Sequence, residues 1–459
     1  MRFGSRVSSG LLPVVQPTMS RIVRLTKEFM WVGAGQAVAV AGSLVGVRVL
    51  TKLLPPETYG QVALVLTFAI LAQQVFFGPC VSALTRFFAP ASEAGQISGF
   101  VEAGYRLVRQ ASVYFILLAV GLISALCFAG YARFAPLVCG ALVFAILSGY
   151  SAAMDGIQNA ARRRTIVAWH QGLGQWLRFL AVVPIVAWRG ATSMNALLGY
   201  IAGLALILAS QSVLLSKTIP LGRRAGLPAT QPEADELLGK MHRYAWPFVI
   251  WGALGWLQFS ADRWALQLGS TEEEVGLYAV LYQLGVSPMV MLSGLLVQLV
   301  APVLFERAGA GDDPERVQKM LHLNQRLCYL SLGCTLVGVG VTFLLHDHIF
   351  ALLVAPTYRK VSYLLPWMAL CGGLFASAQL AALSLLSEGT STALLAPKVG
   401  CALLTTALYF SLVWCCGLVG VVGAGLVGSL VYFVWVSKLV SIRRAGLTLA
   451  TEKTADEDL

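Results

Sequence analysis

Glu57-Thr58-Tyr59-Gly60-Gln61-Val62-Ala63, an apolar stretch and then Gly78-Pro79-Cys80-Val81 form a segment that returns without a gap roughly 216 residues later. Glu57, Gly60, Ala63, Gly78 and Val81 fall on Glu273, Gly276, Ala279, Gly294 and Val297. So few identities among apolar residues carry little weight alone, but the same offset also lays whole apolar runs on one another. The first run (Phe29 to Leu50) falls on the seventh (Tyr244 to Leu268), and the second (Gly60 to Phe88) on the eighth (Gly276 to Leu304). The longest polar interruption, Lys217 to Arg243, lies at the midpoint of the chain. An internal duplication of a six-run unit accounts for all three observations.

The runs themselves are read from hydropathy. Of 459 residues, 57% are hydrophobic and 12% charged, against about 25% charged in an ordinary soluble domain. So few charges cannot cover a water-exposed surface of this size, whereas a helical bundle surrounded by lipid needs few. At about 20 apolar residues per crossing, the remaining runs are Ser112 to Tyr131, Phe134 to Met154, Ile166 to Trp188, Met194 to Leu215, Leu327 to Leu345, Val361 to Leu386, Val399 to Cys416 and Gly420 to Val440. The predicted fold is therefore all-α: a polytopic membrane protein of about 12 transmembrane helices in two pseudo-symmetric six-helix lobes around a central cavity. The expected organisation is a tail at 1–28, a lobe at 29–215, a linker at 216–243, a lobe at 244–440 and a tail at 441–459. Because six is even, both lobes enter the membrane in the same sense.

The net charge of +11, from 33 Lys and Arg against 22 Asp and Glu, would raise nucleic-acid binding in a soluble chain. Here the basic residues sort by loop. With the N-terminus inside, about 25 fall on the cytoplasmic side and about 6 outside, the positive-inside pattern. No loop is long enough to form a basic soluble module, so no nucleic-acid partner is expected. Both termini are expected in the cytoplasm, and the stretch before Phe29 reads as a tail rather than a cleaved signal.

Several short motifs now acquire meaning from their order. Leu53-Leu54-Pro55-Pro56-Glu57-Thr58-Tyr59-Gly60 is followed by an apolar run ending in Arg86-Phe87. Asp262-Arg263 precedes Glu274-Val275-Gly276-Leu277-Tyr278, with Pro356-Thr357-Tyr358 and Gly420-Val421-Val422-Gly423-Ala424 further on. Together they resemble the polysaccharide-transporter family of Wzx-like oligosaccharide-lipid flippases, a branch of the multidrug/oligosaccharidyl-lipid/polysaccharide exporter superfamily, over roughly Phe29 to Leu447. The resemblance implies a V-shaped exporter working by alternating access in the bacterial cytoplasmic (inner) membrane. It would turn an undecaprenyl-pyrophosphate-linked repeat unit to the external leaflet for O-antigen, capsule or exopolysaccharide assembly. Its partners would be the lipid-linked cargo, membrane lipids and the polymerase and glycosyltransferase machinery.

A cargo with a sugar, a pyrophosphate and an isoprenoid tail calls for a wet, cationic groove, and hence for Arg inside spans. Arg178 lies about 18 Å into the fifth run at 1.5 Å per residue, near the bilayer midplane, where an unpartnered cation costs at least about 2.5–3.5 kcal/mol. Gln171, Gln175 and Arg178 share one helix face. That face is expected to line the lumen with Arg178 on phosphate, the alternative being a structural pairing of Arg178 with Asp155. Arg48 falls one position from Arg263 in the repeat alignment, which would give each lobe a cation at one depth. Either these serve an outer vestibule, or they snorkel while Asp262 serves a helix end. Arg86 is placed at the inner mouth, as cargo contact or topology anchor. Gln36, Gln73, Gln74, Gln258, Gln283, Gln298, Tyr278 and Tyr282 are candidates for sugar hydroxyls or for helix-to-helix bonds. Asp155 and Asp262 are the carboxylates open to a coupling ion.

Pro79 and Pro288 interrupt spans two and eight. His346-Asp347-His348 is not expected to bind metal, because adjacent helical residues do not converge on one ion. No cofactor is expected, and no Gly-Lys-Ser/Thr phosphate loop is present. Two other functions compete. A cation-coupled drug or metabolite exporter of the same superfamily would need a carboxylate deep in span one, and Phe29 to Leu50 has none. A membrane enzyme of polysaccharide polymerisation or ligation would need a large external loop, and the longest, from His346 to Lys360, has about 15 residues.

Overall fold

The computed structural model describes residues 18–130, 132–161, 163–218, 231–308, 314–387 and 391–457; among them all regular structure is helical, with no strand. The first lobe comprises α1 (Thr18–Leu53), α2 (Pro56–Leu71), α3 (Gly78–Glu93), α4 (Ile97–Phe128), α5 (Ala135–Ala160), α6 (Arg164–Arg189) and α7 (Ser193–Thr218). The second comprises α8 (Gln231–Gly269), α9 (Glu272–Leu281), α10 (Ser287–Ala308), α11 (Pro314–Leu353), α12 (Leu365–Ser387) and α13 (Leu395–Glu457). Among the described residues, nine stretches are apolar and long enough to cross a membrane. The helices carrying Arg178 and Asp262-Arg263, α6 and α8, are not among them, because polar side chains lower their hydropathy.

The close junction expected between Cys416 and Gly420 is real. Gly417 adopts φ +53° and ψ −135° inside α13, a left-handed conformation that glycine takes without steric cost. The chain doubles back there, so that Gly428 lies against Thr405, Gly425 against Tyr409 and Gly420 against Leu412. Glu274 closes the hinge: its Oε2 accepts from the Leu418 amide at 2.9 Å and from Ser270 Oγ at 2.5 Å, a carboxylate at the start of a helix where free amides favour it. Counting α13 as two and joining α2 to α3 and α9 to α10, the described residues form twelve rods.

Both of those joins are π-helical turns, at Ala72–Phe77 and Tyr282–Val286, immediately before Gly78-Pro79 and Ser287-Pro288. Proline lacks an amide hydrogen and its ring clashes with the carbonyl four residues back, and a wider turn absorbs both defects. The two breaks are not at equivalent depth: Pro79 is 22 residues beyond Glu57, Pro288 only 15 beyond Glu273.

Several rods outrun their apolar spans at one end. α4, α8 and α11 begin at Ile97, Gln231 and Pro314, about four turns before the spans expected from Ser112, Tyr244 and Leu327. Hydropathy reports the part in lipid, whereas the helix continues through polar turns held by pairs such as Arg106 to Glu102 (2.7 Å) and to Asp235 (2.8 Å). The first turns of α8 pack on the first lobe, with Met241 and Ala245 joining a core built on Phe77, Phe100, Phe115 and Leu197. The second lobe has its own core around Leu266, Val275, Phe350, Tyr358 and Val421.

The duplicated segments meet each other. A Cβ at Gly276 would lie 1.9 Å from the Pro56 carbonyl oxygen, and one at Gly60 would lie 2.3 Å from that of Glu272, so α2 and α9 cross at backbone contact where the repeat matches glycine to glycine. Around this crossing the lobes are sealed. Tyr358 donates to the Leu54 carbonyl at 2.8 Å and the Ala355 amide to Thr51 Oγ1 at 3.2 Å. Tyr59 meets Tyr358 edge-on at 6.1 Å, and within the second lobe Lys360 pairs with Glu273. Further from the Pro56 end, Trp256 and Trp264 donate to the carbonyl and hydroxyl of Thr67 at 2.9 and 3.0 Å, and Gln283 donates to Ser43.

Candidate functional site

Between the lobes lie two cavities stacked along the helices. The first, about 340 Å³, is nearer the end opposite Pro56 and is walled by Gln36, Ser151, Asp155, His170, Gln171, Gln175, Arg178 and Gln211, with Met291 and Gly294 of α10 facing them. The second, about 230 Å³, lies toward Pro56 and is lined by Ser43, Tyr59, Tyr200, Arg263 and Gln283 among apolar residues of α1 and α2. Gln175 and Arg178 line both. They form the neck between a polar chamber and a narrower one that ends at the sealed Pro56 crossing.

The local sequence explains why this face of α6 is exposed to the cavity. Glycines fix the helix on both flanks: Gly172 and Gly35 bring α6 onto α1, and α7 packs so closely that a Cβ at Gly203 would lie 2.9 Å from the Arg178 Cα. With both flanks occupied by backbone contacts, Gln171, Gln175 and Arg178 are left facing the opening. Trp176 locks the rotation by donating to the Val38 carbonyl at 3.0 Å.

Arg178 sits near the middle of α6, close to the Phe144 ring at 5.8 Å, and its Nε is buried with no hydrogen-bond partner among the described residues. No ion pair joins it to Asp155. That carboxylate instead accepts from Gln211 at 2.8 Å, Gln211 accepts from Ser151 at 2.8 Å, and Gln171 lies against the same carboxylate. The sequence alternative, in which Asp155 neutralises Arg178, is not what the side chains do. A cation and an anion share the chamber, each presented to it.

Arg263 has the opposite character. It is 8% exposed, donates to the Phe259 carbonyl at 2.9 Å, lies 3.6 Å from Asp262 and stacks over Tyr282 at 4.6 Å. Asp262 is 1% exposed; it accepts from Tyr278 at 2.7 Å and from the Arg263 amide at 2.7 Å, and it lines neither cavity. Arg48 is engaged elsewhere too, its Nη1 donating to the Val354 carbonyl at 2.5 Å at the end of α11. Arg48 and Arg263 are thus one position apart in the repeat but do different things.

Of the remaining sequence candidates, Gln36 lines the first cavity and Gln283 the second. Gln258 and Arg86 line neither, and Arg86 is exposed on α3. The Gln298 side chain lies outside the described residues. His346 and Asp347 both bond Ser362, at 3.1 and 2.6 Å. Sequence reasoning missed Gln211, His170, Ser151 and Tyr200. The first three share α6 and its neighbours with the polar Gln171-Gln175-Arg178 face, but only the packing of α5 and α7 brings them to it.

Two lobes carrying an internal repeat, closed at one end by glycine-on-glycine packing and enclosing a polar cavity with a central arginine, define a polytopic, all-helical membrane fold. The family model described as polysaccharide biosynthesis protein matches residues 25–307, and the chain belongs to that family. No curated protein matches the chain by sequence. Among solved structures, an inward-facing multidrug-resistance MATE transporter of the MOP superfamily is 14% identical, covering 90% of this chain and 95% of its own, with a TM-score of 0.71. The lipid II flippase MurJ in an inward closed conformation is 10% identical, covering 93% and 90%, at 0.67. An outward-facing MATE transporter is 14% identical, covering 93% and 96%, at 0.60. These likenesses establish the fold.

Proposed function

We propose that this protein is a flippase that moves an oligosaccharide carried on an isoprenoid pyrophosphate, undecaprenyl pyrophosphate in bacteria, from the cytoplasmic to the external leaflet of the inner membrane for surface-polysaccharide assembly. The observation that carries the reading is Arg178: a cation at mid-helix, facing a roomy polar cavity, with a buried Nε unpartnered among the described residues. A guanidinium so placed is costly without a ligand, and its planar fork suits a phosphate oxygen pair. The glutamines beside it, Gln36, Gln171 and Gln175, offer donors and acceptors to sugar hydroxyls.

The bias of basic residues among the loops supports cytoplasmic termini; on that reading the sealed Pro56 end is external and the state is one that accepts cargo from inside. Of the two carboxylates considered for coupling, Asp155 faces the cavity while Asp262 is enclosed by Tyr278 and Arg263, so Asp155 is the proposed seat of a coupling cation. Polymerase and glycosyltransferase machinery would then supply and consume the cargo.

The test is to express the gene in bacteria whose own oligosaccharide flippase has been deleted. The reading expects surface glycan to return and the lipid-linked precursor to stop accumulating inside. Continued accumulation with the protein correctly inserted, across strains making different repeat units, would remove the lipid-linked cargo from consideration.

A further inference from the structure

The polar chamber has a thin side wall. In the half toward Pro56, α6 and α7 are pressed together by glycine: a Cβ at Gly199 would lie 2.5 Å from Val182 Cα, and one at Gly203 would lie 2.7 Å from the Leu177 carbonyl oxygen. Toward the opposite end the two helices part. There a separate cavity of about 310 Å³ opens on the outer face of the lobe, walled by Trp169, Leu173, Leu177, Leu206 and Leu214. Leu173 is 45% exposed and Leu206 60%, so this groove opens to what surrounds the bundle, which for a spanning helix pair is hydrocarbon.

His170 and Ile207 line both this groove and the polar chamber. They are the partition. His170 bonds the Ile166 carbonyl through Nδ1 at 2.8 Å and Ser210 Oγ through Nε2 at 3.2 Å, and that second bond spans the gap between the helices. An imidazole on a lipid-facing seam is costly unless satisfied, and here a single serine on the neighbouring helix satisfies its outer nitrogen. A rotamer change of the two side chains would join a polar chamber holding Arg178 to an apolar groove facing lipid.

We propose that the α6–α7 groove is a side window of the chamber that receives the hydrocarbon chain of the cargo next to its diphosphate, with His170 and Ser210 as the latch. This rests on the lipid-linked reading above. Continuity favours a cargo tail over a resident phospholipid: His170 and Ile207 line both the groove and the chamber that holds Gln171 and Arg178, so a chain in the groove leads to a headgroup in the chamber. A polar head and an apolar tail joined by a diphosphate match the two compartments and the cation between them, while the rest of a long isoprenoid stays in the bilayer.

The full-length protein in nanodiscs is irradiated with a polyprenyl diphosphate bearing a diazirine on the isoprene unit next to the diphosphate, and labelled peptides are mapped by mass spectrometry. We expect labels on Leu173 and Leu206, reduced more than tenfold by unlabelled polyprenyl diphosphate and not by phosphatidylglycerol. Ser210→Ala should raise this labelling severalfold by freeing His170, and Ile207→Trp should lower it at least fivefold by filling the partition. Competed labels on the chamber residues alone, or on the apolar groove of Leu84, Phe100 and Tyr150 between α3, α4 and α5, would overturn the window and leave the cargo reading standing. Labelling displaced equally by phosphatidylglycerol would also overturn it. Absence of competed labelling anywhere in the chamber would overturn both.

Discussion

Arg178 and Arg263 are both arginines within spanning helices, both line the central void, and they differ in one respect that decides their roles. Arg263 is supplied by its own lobe with a carbonyl, a carboxylate and an aromatic face. Arg178 has the Phe144 ring at 5.8 Å and a buried Nε without a partner among the described residues. A buried ion pair with complete hydrogen bonding contributes architecture, because removing one member strands the other. A cation left open in a cavity is available to something that arrives. The repeat duplicated a helix scaffold, and the two lobes then placed their charges to different ends.

Removing either arginine should therefore produce different failures. The largest effect is expected from Arg263→Ala, which leaves Asp262 buried and uncompensated; a loss of about 3–5 kcal/mol of stability should show as a marked fall in melting temperature in detergent. Arg263→Met combined with Asp262→Asn should recover most of it, and if the double variant is no more stable than the single one, the pair is not what holds that region. Next is Gly276→Ala, whose Cβ has no room against the Pro56 carbonyl. An overpacking penalty of about 1–3 kcal/mol should push the Pro56 end open, read as a longer spin-label distance between positions 52 and 363. An unchanged distance distribution would mean that the glycine crossing is not the seal.

Arg178→Ala should leave melting within about 1 °C of wild type yet cut transport by about 10- to 150-fold, the equivalent of a charge-assisted hydrogen bond of about 1.5–3 kcal/mol. Smallest is Gln211→Ala. It removes one neutral donor from Asp155, worth about 1 kcal/mol, and should shift the cation dependence of transport by several-fold without abolishing it.

The fold was legible because its signals are local. Apolar length located the rods, the repeat located the lobes, and Gly417 fell in the short gap between Cys416 and Gly420. The beginnings of α4, α8 and α11 were not legible, since amphipathic polar turns beyond the lipid leave no hydropathy signal. For the site, the Gln171-Gln175-Arg178 face could be read from helical spacing alone. The partner of Asp155 could not: Gln211 is 56 residues away, and nothing in either sequence neighbourhood marks the pairing. The same limit explains Arg48. Its position in the repeat suggested a counterpart to Arg263, yet its bond to Val354 crosses 306 residues and exists only because the ends of α1 and α11 meet.

The measurement that bears most directly on the central claim is surface glycan in flippase-deleted cells carrying wild-type protein, Arg178→Ala or Arg178→Lys at matched abundance in the membrane. Wild type should restore the glycan, Arg178→Lys should restore part of it by keeping the charge without the guanidinium fork, and Arg178→Ala should fall at least tenfold while precursor accumulates inside. Full restoration by Arg178→Ala at equal abundance would contradict the assignment of this arginine to the cargo.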